Sequence, residues 1–361
     1  MPWNWELPDW PHFQCDFDQI KEMEKEFLLE LGRASAYLKC LDESDSNQFI
    51  VEMLSLEGLE SSRIEGEILS RESLQSSIKK EFGLNDNMKR EKKKESQMAK
   101  LLIDVYKTFD LPLTHEMLWK WHAILFDEKG SGKYRSHQEP MQIVSNRYDA
   151  RKVYFEAPPS SRVKEEMTRF IKWFSASFDS KSILGRAAMA HVYFESIHPF
   201  EDGNGRIGRI LVEKIFSQGI GQPVLIAISK VLENQKKMYY KELGRCNRSL
   251  NIQDWVQFFA SAALQAQRES VAFLYFLIEK SKILTSLSGK MNGRQEKVLV
   301  RMFAEGPAGF KGGLSAENYI AITKASRATA TRDLADLVKK RALVKTGEFR
   351  HTRYWLNLHR L

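Results

Sequence analysis

The stretch His198 to Arg209, HPFEDGNGRIGR, decides how the rest of the chain is read. Its twelve residues include one histidine, two acids, three glycines, one asparagine and two arginines, a mixture no packed core requires. Upstream, SILGRAAMAHVYFESI (182–197) has helical spacing, and Pro199 predicts the end of that helix. Downstream, NGRIGRILVEKIFSQG (204–219) resumes helical spacing. Gly203, Asn204 and Gly205 therefore join two helices, and two glycines around one polar residue allow a tight loop with its N–H groups turned outward. The positive end of the second helix faces the same space, which makes an anion site. Arg206 and Arg209, three apart on its first turn, favour a polyphosphate. Asp202 would repel phosphates there unless it holds a cation, and Mg²⁺ commonly binds through one or two carboxylates plus substrate phosphates. His198, at the helix end, is placed to take a proton from an incoming hydroxyl near neutral pH. The set reads as a nucleotide site with Mg²⁺ and a general base, which is nucleotidyl or phosphoryl transfer to a hydroxyl. It is not a Walker A loop, since no GxxxxGK[ST] occurs.

The surroundings are mostly helical. Apolar residues recur every three or four positions in 20–38, 47–69, 97–109, 114–126, 160–178, 232–247 and 254–284. Thr114 and Ser161 are N-cap candidates. One β-hairpin is predicted, with 132–146 and 151–159 flanking a turn at NRYDA (146–150). Asn85-Asp86-Asn87 and the charge run KREKKKE (89–95) mark a surface loop. Residues 1–19, rich in Trp, Pro and Asp, read as an extended arm whose aromatics pack onto something. The expected fold is mainly α, a helical bundle with one hairpin over about 20–285.

Beyond SLSGKMNGRQ (286–295), a small-residue linker, the pattern changes. Three helices and a terminal hairpin around Gly347 are predicted, the pattern of a winged helix-turn-helix. From Lys290 onward there are 15 Lys+Arg against 6 Asp+Glu, a net of +9, while the other 289 residues carry 40 against 41. The basicity belongs to this segment and suits phosphate contacts. Ser326, Arg327, Thr329, Thr331 and Arg332 are expected on the exposed face of its third helix. Arg327, Thr329 and Arg332 are the candidates for touching DNA.

The chain of 361 residues, 43% hydrophobic, can bury a sizeable core. No apolar run of about 18 residues predicts a membrane helix, and the N-terminus lacks the basic and apolar regions of a signal peptide. Cys15, Cys40 and Cys246 form neither a disulfide framework nor a zinc pattern, which fits a reducing compartment. A cytoplasmic protein without a membrane partner is expected.

HPFEDGNGRIGR matches without departure the HPFx[D/E]GNGRxxR signature of the Fic family of protein adenylyltransferases, and the resemblance extends over about 20–285. It implies transfer of AMP from ATP to a Ser, Thr or Tyr hydroxyl of a target protein, with release of pyrophosphate. The target is another protein or the chain itself. In this resemblance His198 deprotonates the target hydroxyl and Asp202 holds Mg²⁺. Gly203, Asn204 and Gly205 cradle phosphates, and Arg206 and Arg209 grip the β/γ end. The hairpin resembles the Fic flap, an edge strand that docks the target backbone by β-augmentation, with Ile143 and Val144 as clamp residues. MYYKELGRCN resembles the nucleoside side of the site, placing Tyr239 and Asn247 on the nucleoside, with Tyr240 as the alternative core residue. SSRIEGE has the spacing of the [S/T]xxxE[G/N] inhibitory motif in Ser61, Glu65 and Gly66. Its position before the core resembles the class in which an N-terminal helix places the glutamate on the second arginine, here Arg209. A carboxylate there repels a γ-phosphate, so ATP would bind unproductively. WNWELPDWPHFQCD is similar to an N-terminal extension of many bacterial Fic proteins.

The expected organisation is an arm and inhibitory helices over 1–100, a Fic core over 101–285 and a winged helix-turn-helix over 290–361, with a homodimer through the bundle. The leading function is an adenylyltransferase autoinhibited by Glu65. The alternatives are removal of AMP from a modified target, with Glu65 orienting water, and a DNA-binding regulator whose core only senses nucleotide.

Overall fold

Two helices frame the stretch 198–209 in the computed structural model, which describes residues 1–84, 92–126, 131–144, 152–177, 182–307 and 309–358. The first, α7 (Ile183–Ile197), is buried almost all round, from Leu184 and Ala187 to Phe194 and Ile197. The second, α8 (Asn204–Ile220), is buried from Ile207 through Ser217. A helix that is apolar on every side belongs in the middle of a bundle, and the small residues Ala187, Ala188 and Ala190 let neighbours approach α7 closely.

Around them lie α1 (Lys21–Leu38), α2 (Glu43–Ile64), α3 (Arg71–Glu81), α4 (Lys93–Lys107) and α5 (His115–Phe126). The hairpin β1 (Gln142–Val144) and β2 (Val153–Glu156) follows. Then come α6 (Ser160–Ala176), α9 (Ile228–Asn234), α10 (Lys236–Cys246) and the long α11 (Gln253–Ser286). The chain ends in α12 (Gly293–Ala304), α13 (Ala316–Thr323), α14 (Arg327–Lys339), β3 (Leu343–Thr346) and β4 (Arg353–Leu356). Among the described residues the sheets are two antiparallel pairs, so the mainly α expectation agrees with the structure.

The chain divides into two compact units, Met1–Leu31 with Ile50–Ser270, and Gly32–Phe49 with Val271–Leu361. This division does not coincide with boundaries at residue 100 or 285, because α1, α2 and α11 supply residues to both units.

In the first unit the N-terminal arm is tied down by side chains. Buried Asn4 donates to Ser196 Oγ at 2.8 Å and to Cys246 O at 3.0 Å, joining α7 to α10. Trp5 Nε1 donates to Glu156 O at 2.7 Å, and Trp10 Nε1 to Glu166 Oε2 at 3.0 Å. The arm thus braces β2 and α6.

In the second unit Asp333 on α14 accepts from Arg294 Nε at 2.9 Å, Tyr319 Oη at 2.8 Å and Asn292 Nδ2 at 3.0 Å, locking α12, α13 and α14 together. Leu314 and Tyr354 exchange two backbone bonds at 2.9 and 2.8 Å, which seats β4 against the start of α13.

Two local expectations are corrected. The charge run 89–95 is not all loop, because α4 starts at Lys93 and Glu95 is buried, accepting from Ser70 N at 2.8 Å. Ser161 does not cap α6, which begins one residue earlier behind Pro159. The Asn85-Asp86-Asn87 segment and most of the NRYDA turn lie outside the described residues. Thr114 does cap α5, accepting from Met117 N at 3.2 Å. No described helix is long and apolar enough to cross a membrane.

Candidate active site

Helix α7 stops at Ile197, and His198 turns into the left-handed region (φ 48, ψ 61) with its N–H donating to Phe194 O at 3.0 Å. The buried Arg135 holds this turn from outside. Its Nε donates to His198 O at 2.8 Å, and its Nη2 to Pro158 O at 2.5 Å and Ile197 O at 3.3 Å. Phe200, fully buried, stacks on His122 at 4.3 Å between ring centres. The Asn204 side chain bridges the loop to itself, accepting from Phe200 N at 2.9 Å and donating to Phe200 O at 2.8 Å. The Asn204 amide therefore sets the loop's shape and leaves its backbone N–H uninvolved in that bridge. Residues 203–205 open α8, whose first N–H groups have no intrahelical partner, an arrangement that can receive an anion.

Burial, helped by the Arg135 charge, pushes His198 down to about 4, so its imidazole is neutral at pH 7. Glu195, one turn earlier on α7, puts Oε2 3.8 Å from His198 Nδ1. Burial, and next the nearby Glu65 carboxylate, push Glu195 up to about 8, so it is mostly protonated at neutral pH. Sequence reasoning passed over Glu195, although its place three residues before the histidine on a helix puts both on one face.

The expected pairing of Glu65 with Arg209 is present. Arg209 is 1% exposed. Its Nη2 donates to Glu65 Oε1 at 2.6 Å and to Ser61 O at 2.8 Å, and its Nε to Ser61 Oγ at 2.9 Å. Burial opposes its charge, yet Glu65 and its other neighbours outweigh that and hold Arg209 above its ordinary pKa. Gly205 is needed for this approach, since a Cβ there would fall on Glu65 Oε1. Arg206 is taken as well. Its Nη1 donates to Glu67 Oε2 at 2.9 Å, its guanidinium lies over the Phe126 ring at 5.2 Å, and Glu67 also pairs with Lys94. The turn between the two glutamates is Gly66, at φ 82, which a side chain would resist. Both motif arginines are thus held by acids from one short segment, and the sequence motif, ending at Gly66, pointed to only one of them.

Helix α2 is anchored by Glu57, which accepts from Ser229 N at 2.9 Å and from Ser229 Oγ. Burial raises Glu57, and it raises Glu213 of α8 further, with Glu57 beside it adding to the shift.

Glu65, Glu195, His198, Asp202 and 203–205 line one cleft of about 1030 Å³ with the hairpin and α10. Ile143 and Val144 of β1 are on its wall, and Ile143 is 41% exposed. β1 pairs only with β2 among the described residues, which leaves its other edge open. Asn247 also lines the cleft, and its Nδ2 reaches Tyr154 O at 3.4 Å. Both tyrosines line the cleft, with different exposure. Tyr239 is 2% exposed with its hydroxyl bound to His191 Nε2 at 2.8 Å, whereas Tyr240 is 45% exposed and donates to Ile64 O at 3.2 Å. Consecutive helical residues point about 100° apart, and the period alone leaves the core member undecided. Asp202 stands open at the mouth, 74% exposed, with Oδ1 accepting from Gly203 N at 2.6 Å. No group of three His, Cys, Asp or Glu side chains among the described residues forms a metal cluster.

Residues 112–216 match the family model described as Fic/DOC family, and residues 3–84 one described as Domain of unknown function (DUF4172). Over 95 residues the chain is 34% identical to Protein adenylyltransferase Fic of Drosophila willistoni and of Drosophila melanogaster. That match covers 26% of this chain and 18% of the length of those relatives. Among solved structures, a Fic family protein from Desulfovibrio desulfuricans G20 superposes with a TM-score of 0.58 at 20% identity, covering 96% of this chain and 98% of that one. A Fic domain containing signaling protein from Bacteroides thetaiotaomicron VPI-5482 gives 0.52 at 19% identity, covering 68% of this chain and 96% of that one. The structural likeness concerns the fold. The sequence matches support a Fic/DOC domain at 112–216, and that segment contains the whole of HPFEDGNGRIGR.

Proposed function

We propose that this chain transfers AMP from ATP to the hydroxyl of a Ser, Thr or Tyr side chain of a protein, and that α2 and the turn after it hold the reaction in check. The observation that carries the reading is a neutral, half-buried His198 beside the N-terminus of α8, with Arg209 held by Glu65 in the same space. In the reaction His198 accepts the hydroxyl proton and the freed oxygen attacks the α-phosphorus. The bond from that phosphorus to the β-phosphate oxygen breaks, and pyrophosphate leaves. The first N–H groups of α8 receive phosphate oxygens, and Arg206 and Arg209 neutralise the leaving pyrophosphate once their acids withdraw. The open edge of β1 supports docking of an extended target segment beside His198.

The exposed carboxylate of Asp202 at the mouth suits Mg²⁺, which is usually completed by phosphates rather than by a protein cage. Asp202 would hold the ion, and the ion would neutralise phosphate charge. Autoinhibition is electrostatic and steric. Glu65 occupies the guanidinium that a γ-phosphate needs, and a second anion beside it is repelled.

Incubation with ATP and Mg²⁺ followed by mass spectrometry tests the reading. Wild type should give little AMP adduct on itself or on lysate proteins, Glu65→Gly should give more, and His198→Ala none. Adducts formed equally by His198→Ala would overturn it. A second reading, removal of AMP from a modified target, is favoured by the place of Glu65 in the cleft with His198. There, AMPylated target would lose AMP with wild type and keep it with Glu65→Gly.

A further inference from the structure

The second unit carries a surface that adenylyl transfer does not use. Helix α14 sorts its charges by side. Both of its acids are paired: buried Asp333 accepts from Arg294 and Tyr319, and Asp336, 43% exposed, accepts from Gln295 at 2.8 Å and pairs with Lys340. Its outer face is a single arc of exposed residues, Arg327, Ala328, Thr331, Arg332, Ala335 and Lys339, without an acid among them. The α13–α14 connection is three residues, Lys324 to Ser326. Lys324 is left-handed at φ 59, and Ser326 caps α14 by accepting from Thr329 N at 3.3 Å. Thr329, expected on the outer face, is half-buried and spends its hydroxyl on Ser326 Oγ at 3.0 Å. Next comes the hairpin, where Lys345, Arg350 and His351 are exposed. At its tip Phe349 is 92% exposed and held at φ 47, a conformation that costs a bulky residue free energy and gains no packing here. The acids nearby are Glu348 on the hairpin and Glu317, whose Oε1 is 3.5 Å from Arg327 Nη2.

We propose that the outer face of α14, together with the β3–β4 hairpin, is a docking surface for double-stranded DNA. Charge complementarity selects this occupant. The segment from Lys290 has a net charge of +9, and its third helix and hairpin present cations outward while both acids of that helix are paired with neighbouring side chains. A helix about 10–12 Å across enters a major groove about 12 Å wide only if its outward side chains are short, as Ala328, Thr331 and Ala335 are. Arg327, Arg332 and Lys339 flank that strip at phosphate-contact positions, and Lys345 and Arg350 extend the contact to the neighbouring backbone. The exposed Phe349 gives the hairpin an apolar tip for the minor groove.

The full chain is titrated into a fluorescently labelled mixed-sequence duplex at ~50 mM salt, and again at several higher concentrations, with anisotropy as the readout. Binding is expected, with log affinity falling linearly against log salt. The triple variant Arg327→Ala, Arg332→Ala, Lys345→Ala should bind at least about tenfold more weakly, and its salt slope should shrink by roughly 0.9 per lost phosphate contact. Lys100→Ala with Lys172→Ala, a loss of charge in the first unit, should change neither value. An unchanged melting temperature of the triple variant shows that it is folded. No binding by wild type, a triple variant equal to wild type, or competition by polyglutamate as strong as by unlabelled duplex would each overturn the assignment.

Discussion

Arg206 and Arg209 lie three residues apart, and their partners Glu65 and Glu67 lie two apart across Gly66. Removing Glu65 frees one guanidinium and leaves the other paired. In assays of AMP incorporation against ATP concentration, Glu65→Gly should therefore be only partly released. Glu67→Gln alone should change little, since Arg209 stays occupied. The double variant should lower the KM for ATP about tenfold further than Glu65→Gly, the worth of one charge-assisted hydrogen bond. A double variant no better than Glu65→Gly would remove Glu67 from the inhibitory set. Glu195 yields a pH prediction. Its carboxyl is neutral in the folded chain up to about 8 but ionises in the unfolded chain from the ordinary glutamate range. Between those limits the folded state binds more protons, so this residue makes stability fall as pH rises. Glu195→Gln removes that slope. Its melting temperature relative to wild type should climb steadily from pH 5 to pH 8, and a constant difference would contradict the buried neutral acid.

Local rules made the helices legible. Spacing, Thr114 as a cap and Pro199 as a stop located the segments around the active loop, and the motif's order fixed which residues open α8. What they missed depends on distance in sequence. Asn4 joins α7 and α10 through partners 192 and 242 residues away, and Glu95 meets Ser70, 25 residues away, so neither has a local signal. The work of the Asn204 side chain was not legible for the opposite reason, since its partners are in its own loop. A residue expected to cradle phosphate uses its side chain on its own loop. Asn204→Ala leaves Phe200 N and O buried without these partners, at a cost of about 1–3 kcal/mol. The expected result is a lower melting temperature together with a raised KM for ATP, while Asn204→Asp, which can still accept from Phe200 N, should recover part of both. Full activity in the alanine variant would show that the loop keeps its shape without this bridge.

The composition of the chain changes sharply near residue 290, where net charge moves from −1 to +9, and a cut there looks natural from sequence. Packing puts the second unit's core elsewhere. Phe276, near the end of α11, is 2% exposed and lies 5.9 Å from Phe273 and 6.0 Å from Phe303 of α12. Phe49 of α2 stacks on Phe273 at 6.2 Å, and Lys280 reaches Asp45 at 3.1 Å. The last turns of α11 are thus core to the basic segment, and charge and linker composition cannot report a helix that is shared. A chain ending at residue 289 keeps α11 but loses α12 and with it Phe303, uncovering Phe276 and Leu277, both now buried. Burial of side chains this large contributes about 1.5–3 kcal/mol each, enough to matter in a unit of this size. That truncated chain should bind a hydrophobic dye and melt earlier than the full chain. Replacing Phe276 by Ser within the truncated chain should reduce the dye binding. In the full chain the same change should lower the melting temperature, because there the ring is packed rather than exposed. Dye binding by the truncated chain no greater than by the full chain would show that α11 ends as an independent helix and that the boundary near 290 is the physical one.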